Sequence, residues 1–262
     1  MHSLSLRLRI TVGLIYLFLL LPLAIIALSS FSGSSRFDLF PAEGWSLRWY
    51  RSFFHSSNYL TAMFANSLPV ALIAGLLATA IGTLAAVAVI RSPEKLRARF
   101  EILTMLPLIV PTVLLGIGLY LLSTILHIKN GFLMLVLGHG LIGIPYVIRI
   151  VMAGLEEIDP ALEQAARSLG CSPVQAFIMT TVPQIKTSLA SAMIFAFIES
   201  FSDINLALFI AGSGNTTLPV QIFSDIVWQG DPTIAAASTL QMVLICLLVM
   251  LGFKAVGRRN KP

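Results

Sequence analysis

Charge is what this chain has least of. Only 11% of its 262 residues are Asp, Glu, Lys or Arg, against about a quarter in soluble globular domains. That scarcity, beside 57% apolar residues, excludes a disordered chain, a nucleic-acid-binding tail and an ordinary soluble enzyme. Cysteine is nearly absent too. Cys171 and Cys246 are too few and too far apart for a disulfide framework or a metal cluster, and they read as plain thiols in the core or on the cytosolic side. No GxxxxGK[ST] segment occurs, so the chain has no phosphate-cradling loop with which to hydrolyse ATP itself.

What is present is a set of long windows free of charge. A bilayer core of about 30 Å needs about 20 apolar helical residues to cross it. Such windows run over residues 11–31, 66–90, 102–126, 131–149, 187–210 and 233–253, the fourth ending at Arg149 and the fifth holding two carboxylates. The runs are continuous rather than alternating, which selects helices over a closed barrel. The expectation is an all-α integral membrane protein with six transmembrane helices. Arg7 and Arg9 precede the first run as they would in a signal peptide, but the run exceeds a typical signal core and further spans follow. It is expected to be a retained helix.

Lys and Arg set the orientation. With six spans, the side bearing both termini carries thirteen of them: Arg7, Arg9, Arg91, Lys95, Arg97, Arg99, Arg149, Arg167, Lys186, Lys254, Arg258, Arg259 and Lys261. The other side carries four: Arg36, Arg48, Arg51 and Lys129. Both termini are therefore expected in the cytoplasm. Between the first two spans, Trp45, Trp49, Tyr50, Phe53 and Phe54 surround Arg48 and Arg51, as in a short amphipathic segment at the outer membrane interface. Anchoring alone and docking of a partner explain it equally.

The segment at 150–186 is a cytoplasmic loop with strong local signals. Asp159 and Pro160 make a cap and a first-turn proline. Gly170 supplies a left-handed stop. Ser172, Pro173 and Gln175 then open a second helix with a capping box, and Pro183 closes it. The spacing predicts helix, glycine turn, helix. Ala165 and Ala166 lack bulk, so a partner could approach closely. A helical hairpin merely covering the bundle is the other reading.

This loop resembles the EAA loop of binding-protein-dependent ABC importers, in which E-A-A is followed after three residues by G and after nine more by I-x-L-P. Gln164, Ala165, Ala166, Gly170, Thr180, Val182 and Pro183 occupy those places. Gln164 replaces the glutamate, with Glu163 beside it, and Thr180 and Val182 replace the isoleucine and leucine. The resemblance extends along the chain, nearest to spermidine/putrescine-type permeases. Ser30 to Tyr50, Asn66-Ser67-Leu68, Ile109-Val110-Pro111 and His139 through Pro145 are similar to segments of that class. It implies the type I ABC importer permease architecture, one permease domain over residues 1–262, in the inner membrane of a bacterium. It also implies a coupling helix that meets a dimer of ATPase subunits, with Glu163, Gln164, Ala165, Ala166, Gly170, Cys171, Ser172 and Pro183 as the coupling residues. The implied partners are that dimer, a second permease chain expected to differ from this one, and an external solute-binding protein. ATP and Mg would be bound by the ATPase, and this chain would need no cofactor.

In the fifth window Glu199 and Asp203 stand four residues apart, on one helix face, with Ser202 and Asn205 nearby. A charge near the bilayer centre costs about 2.5–3.5 kcal/mol on insertion scales, so these carboxylates should not face lipid. They could contact a cationic substrate, join a second permease chain, or be hydrated at the outer end of the span. Spermidine/putrescine-type permeases have an acidic pair here, of which Asp203 keeps the second member while Ser202 replaces the first. The resemblance thus implies a small cationic solute such as putrescine or spermidine. Aminoethylphosphonate, ferric iron or another small nitrogenous solute are alternatives within the class. A secondary transporter using Glu199 and Asp203 as ion sites is the rival from outside it, although no inverted repeat supports it. His127 and His139 have no partner at ligand spacing, and no serine–histidine pair stands at positions workable for hydrolysis. His139, with Gly140, Gly143 and Pro145, reads as a closely packed, kinked helix. Pro107 and Pro111 suggest that the third span is broken.

Overall fold

The computed structural model describes residues 6–35, 44–228 and 230–257, with side chains through 252. Arg36, Arg258, Arg259, Lys261 and the Lys254 side chain, all used in the topology count, lie outside that description, as do residues 36–43 of the resembling segment. The described chain is helical, with one isolated β-bridge between Ser32 and Trp45. In chain order the helices are α1 (Leu6–Ser29), α2 (Arg48–His55), α3 (Ser57–Ile90), α4 (Glu94–Ile109), α5 (Thr112–Ile125), α6 (Gly131–Glu156), α7 (Pro160–Ser168), α8 (Pro173–Gln184), α9 (Lys186–Ser202), α10 (Ala207–Ile210), α11 (Leu218–Trp228) and α12 (Thr233–Gly257).

Four of these helices, α1, α3, α6 and α12, are long and apolar enough to cross a bilayer by themselves. Two bent pairs bring the number of candidate spans to six: α4 with α5 at 89°, and α8 with α9 at 74°. The first bend has a local cause. Pro111 has no N–H to give and pushes the preceding residue out of helical geometry, and Val110 is extended at φ −77°, ψ 129°. The second bend follows Pro183, beyond the expected stop, at Ile185. Because Pro183 cannot donate to the turn before it, the chain widens into a π-turn over Phe177–Thr181.

The fifth window is not one helix of 187–210. Helix α9 ends at Ser202, Asp203 is extended at φ −70°, ψ 133°, and only the single turn of α10 follows. The sequence stays apolar through this point, so the break comes from side-chain capping rather than from loss of hydrophobicity. Helix α6, by contrast, runs on to Glu156, through Pro145 and beyond the expected window of 131–149.

The chain divides into two compact units, residues 1–61 with 221–244 and residues 62–220 with 245–262. In the first, α2 is the expected amphipathic segment. Phe53 is fully buried and packs on Tyr59, with ring centroids 5.3 Å apart. The Arg48 guanidinium sits 4.1 Å over the Trp49 ring. The hydroxyls of Ser30 and Tyr50 meet at 2.7 Å. Asp225 is buried here and accepts from Gln221 Nε2 at 3.0 Å.

The second unit is built on α3, α6 and α9, whose facing surfaces carry small residues. Ala78, Ala86, Ala192 and Ala196 are buried with Val147, Ile148 and Val151 in one cluster. Small side chains let helix backbones approach closely in a membrane, where apolar burial drives association little. Gly82 shows how close: a Cβ there would lie 2.6 Å from Val147 Cγ1. The π-helical stretch of α3, Thr61–Ser67, is tied to the segment that enters α11, with Asn66 Nδ2 donating to Thr216 O at 2.9 Å and Ser67 Oγ accepting from Leu218 N at 2.7 Å.

Candidate functional site

The 157–186 hairpin forms as its caps dictate. Asp159 Oδ1 accepts from Ala161 N at 2.9 Å, with Pro160 as the first residue of α7. Gly170 takes φ +97°. Its N–H donates to Arg167 O at 3.0 Å and the Cys171 N–H to Ala166 O at 3.2 Å, the paired bonds of a Schellman turn. Ser172 and Gln175 close both bonds of the capping box, at 3.0 and 3.3 Å. The result is a sharp hairpin whose first helix, α7, buries none of its residues.

Gln164, Ala165, Gly170, Ser172 and Pro183 are exposed on this hairpin, while Ala166 and Cys171 are partly covered. The reading from sequence missed the apolar residues at its tip. Leu169 is 87% exposed and Val174 67%. Both stand on the outer surface of the hairpin, Leu169 immediately before the glycine turn. Its signal in the sequence was present but weak, because a single leucine before glycine is equally common as a buried helix end.

Glu163 behaves differently from its neighbours. It turns inward, at 17% side-chain exposure, and its Oε2 bonds Arg91 Nη2 at 2.7 Å. The same oxygen accepts from Thr181 Oγ1 at 3.1 Å. A cleft of about 350 Å³ lies beside this contact, lined by Arg91, Leu155, Ile158, Glu163 and Arg167 among others. Glu163 is thus not on the outward surface with Gln164 and Ala165, and lies on the partly covered side with Ala166.

The polar residues of the fifth window also separate. Asp203 does not share a continuous helix with Glu199. Its N–H bonds Glu199 O at 3.1 Å as a C-cap, and its carboxylate folds forward to accept from Leu206 N at 3.0 Å and Ala207 N at 3.2 Å. The opposite neighbour is His139, whose Nε2 lies 3.7 Å from Asp203 Oδ2. His139 Nδ1 lies 2.6 Å from Ser200 Oγ. His139 is therefore no lone histidine, and a Ser200–His139–Asp203 cluster exists where no serine–histidine pair was expected. The cluster is sealed: His139 is 2% and Ser200 5% exposed, so no substrate carbonyl reaches the serine. The His139–Ser200 hydrogen bond ties α6 to the last turn of α9.

Glu199 remains half-buried and makes no side-chain hydrogen bond among the described residues. It lies one turn from Phe195 on α9, and Tyr146 of α6 is within its electrostatic reach. The Tyr146 and Phe195 rings pack at 4.9 Å. A carboxylate one helical turn from a partly open aromatic pair is chemistry that suits an organic cation. Neither aromatic was singled out from sequence, since Tyr146 and Glu199 are far apart in the chain. Ser202 and Asn205 are exposed at the break. Among the described residues, no three His, Cys, Asp or Glu side chains gather as a metal site.

The chain has relatives both by sequence and by fold. A protein family described as binding-protein-dependent transport system inner membrane component matches residues 78–262. The putrescine transport system permease protein PotI of Escherichia coli K12 is 30% identical over 253 residues, covering 94% of this chain and 89% of that protein. The spermidine/putrescine transport system permease protein PotC of Haemophilus influenzae is 27% identical over 246 residues, covering 94% of each. Among solved structures, a bacterial ABC transporter involved in the import of the acidic polysaccharide alginate contains a chain similar in fold, with TM-score 0.74 at 14% identity over 98% of this chain and 96% of that one.

Proposed function

Because the chain belongs to the family of binding-protein-dependent transport system inner membrane components, we propose that it carries a small organic cation, putrescine or a related polyamine, into the cytoplasm. It is a permease subunit and not a catalyst. The observation that carries the substrate reading is Glu199, a half-buried carboxylate with no side-chain hydrogen bond among the described residues, one helical turn from Phe195, whose ring packs on Tyr146. The relatives' names point to the same class of solute.

The proposed cycle draws its energy from partner ATPase subunits that bind ATP and Mg. An external binding protein delivers the solute. The α7 hairpin, with Ala165, Leu169 and Gly170 outward, docks on the ATPase pair. Closure of that pair moves the hairpin and, with it, the spans that flank the path. A second permease chain completes the path, and both termini lie on the ATPase side. Glu199 would offer a moving ammonium group a counter-charge, while the rings favour its methylene chain and its cationic end.

Uptake of labelled putrescine and spermidine in cells lacking this chain tests the reading. Wild type should restore uptake and Glu199→Gln should restore it poorly, at equal amounts of chain in the membrane. Polyamine uptake that never depends on the chain would remove the substrate assignment, and equal restoration by Glu199→Gln would remove the residue's role.

A further inference from the structure

Helix α7 has no buried residue, yet it is held in one place, and a single oxygen does much of the holding. Glu163 Oε2 receives Arg91 Nη2 at 2.7 Å and Thr181 Oγ1 at 3.1 Å. Arg91 caps the C-terminal end of α3, where a cation suits the helix carbonyls. Its guanidinium also stands 5.4 Å from the centre of the Phe177 ring. Thr181 ends the π-turn of α8, just before the bend into α9. Three elements therefore meet at one carboxylate: the docking helix, the end of the second candidate span and the segment leading into the fifth.

An ion pair whose partners are 50% and 17% exposed contributes little to stability, since water screens it. What it supplies is position. We propose that Glu163 is the positioning residue that transmits movement of the α7 hairpin to α3 and α9. A push on the hairpin reaches α3 through Arg91 and α9 through Thr181, and α3 and α9 themselves pack tightly through Ala78, Ala192 and Ala196. Without the strut the hairpin can shift against the bundle, and hydrolysis no longer drives the spans. This inference rests on the coupling role proposed for the hairpin.

The test uses the whole complex in proteoliposomes, with this chain, its second permease, the ATPase subunits and the binding protein, and reads solute imported per ATP hydrolysed. Glu163→Ala is expected to lower that ratio about tenfold, as for residues along a coupling route, while the complex still captures ATPase subunits. Arg91→Glu should do the same, and Arg91→Glu with Glu163→Arg should recover most of the ratio, because the reversed pair restores the link. A wild-type ratio in Glu163→Ala, loss of ATPase capture by it, or a double variant no better than Arg91→Glu alone would overturn the strut. Leu169→Asp, at the hairpin tip, separates this from the underlying reading. If Leu169→Asp prevents ATPase capture while Glu163→Ala transports normally, only the strut fails. If Leu169→Asp also transports normally, the docking role of the hairpin fails with it.

Discussion

Gly170 and Asp203 each carry a burden that their neighbours could not. At Gly170 the difficulty for any other residue is conformational: no atom lies within 4 Å of where a Cβ would stand, but φ is +97°. A branched residue there costs about 1–2 kcal/mol and would unwind the end of α7. Gly170→Val is expected to insert normally and transport poorly, checked by uptake normalised to chain in the membrane fraction; normal uptake would contradict it. Asp203 is a cap, so Asp203→Ala should lose about 1 kcal/mol. Its signature is a lower thermal midpoint in detergent. Glu199→Gln should instead leave the midpoint in place and weaken polyamine binding about tenfold or more, as expected for a lost charge-assisted bond. If the two variants showed the reverse pattern, the roles assigned to the two carboxylates would be exchanged.

Helices meet in the second unit through small residues, and that contact has a specific test. Gly82→Ala places a methyl group 2.6 Å from Val147 Cγ1, an overpacking expected to cost about 1–3 kcal/mol. Gly82→Ala with Val147→Ala should recover part of the loss, because Cγ1 at 2.6 Å is gone while Cβ at 2.8 Å stays. The thermal midpoint of the purified chain reads both, and a double variant less stable than Gly82→Ala would argue against direct packing. At this scale it becomes plain which features were legible in the sequence. The hairpin was legible because its determinants are local: Asp159, Gly170 and the Ser172–Gln175 box act within a few residues of themselves. The bend at Val110 was legible for the same reason, through Pro111. The break after Ser202 was not, since it depends on the Asp203 carboxylate folding forward onto Leu206 N and Ala207 N in the middle of an apolar run. The inward turn of Glu163 was equally hidden, because Arg91 lies 72 residues away.

Over the whole molecule, the candidate spans leave much apolar surface to be covered by lipid or by other chains. Helix α1 has none of its apolar window buried and α12 only 28%. The chain belongs to a family of transport-system components. The central claim is that transport by the proposed assembly is driven from the hairpin by ATP and not by an ion gradient through Glu199 and Asp203. The most direct measurement places the reconstituted complex in proteoliposomes and follows labelled putrescine uptake under two separate drives, ATP on the ATPase side or an imposed proton gradient without ATP. Uptake with ATP alone, insensitive to an uncoupler and lost in Leu169→Asp, is the expected result. Uptake driven by the gradient alone, abolished by the uncoupler and unaffected by Leu169→Asp, would contradict the claim.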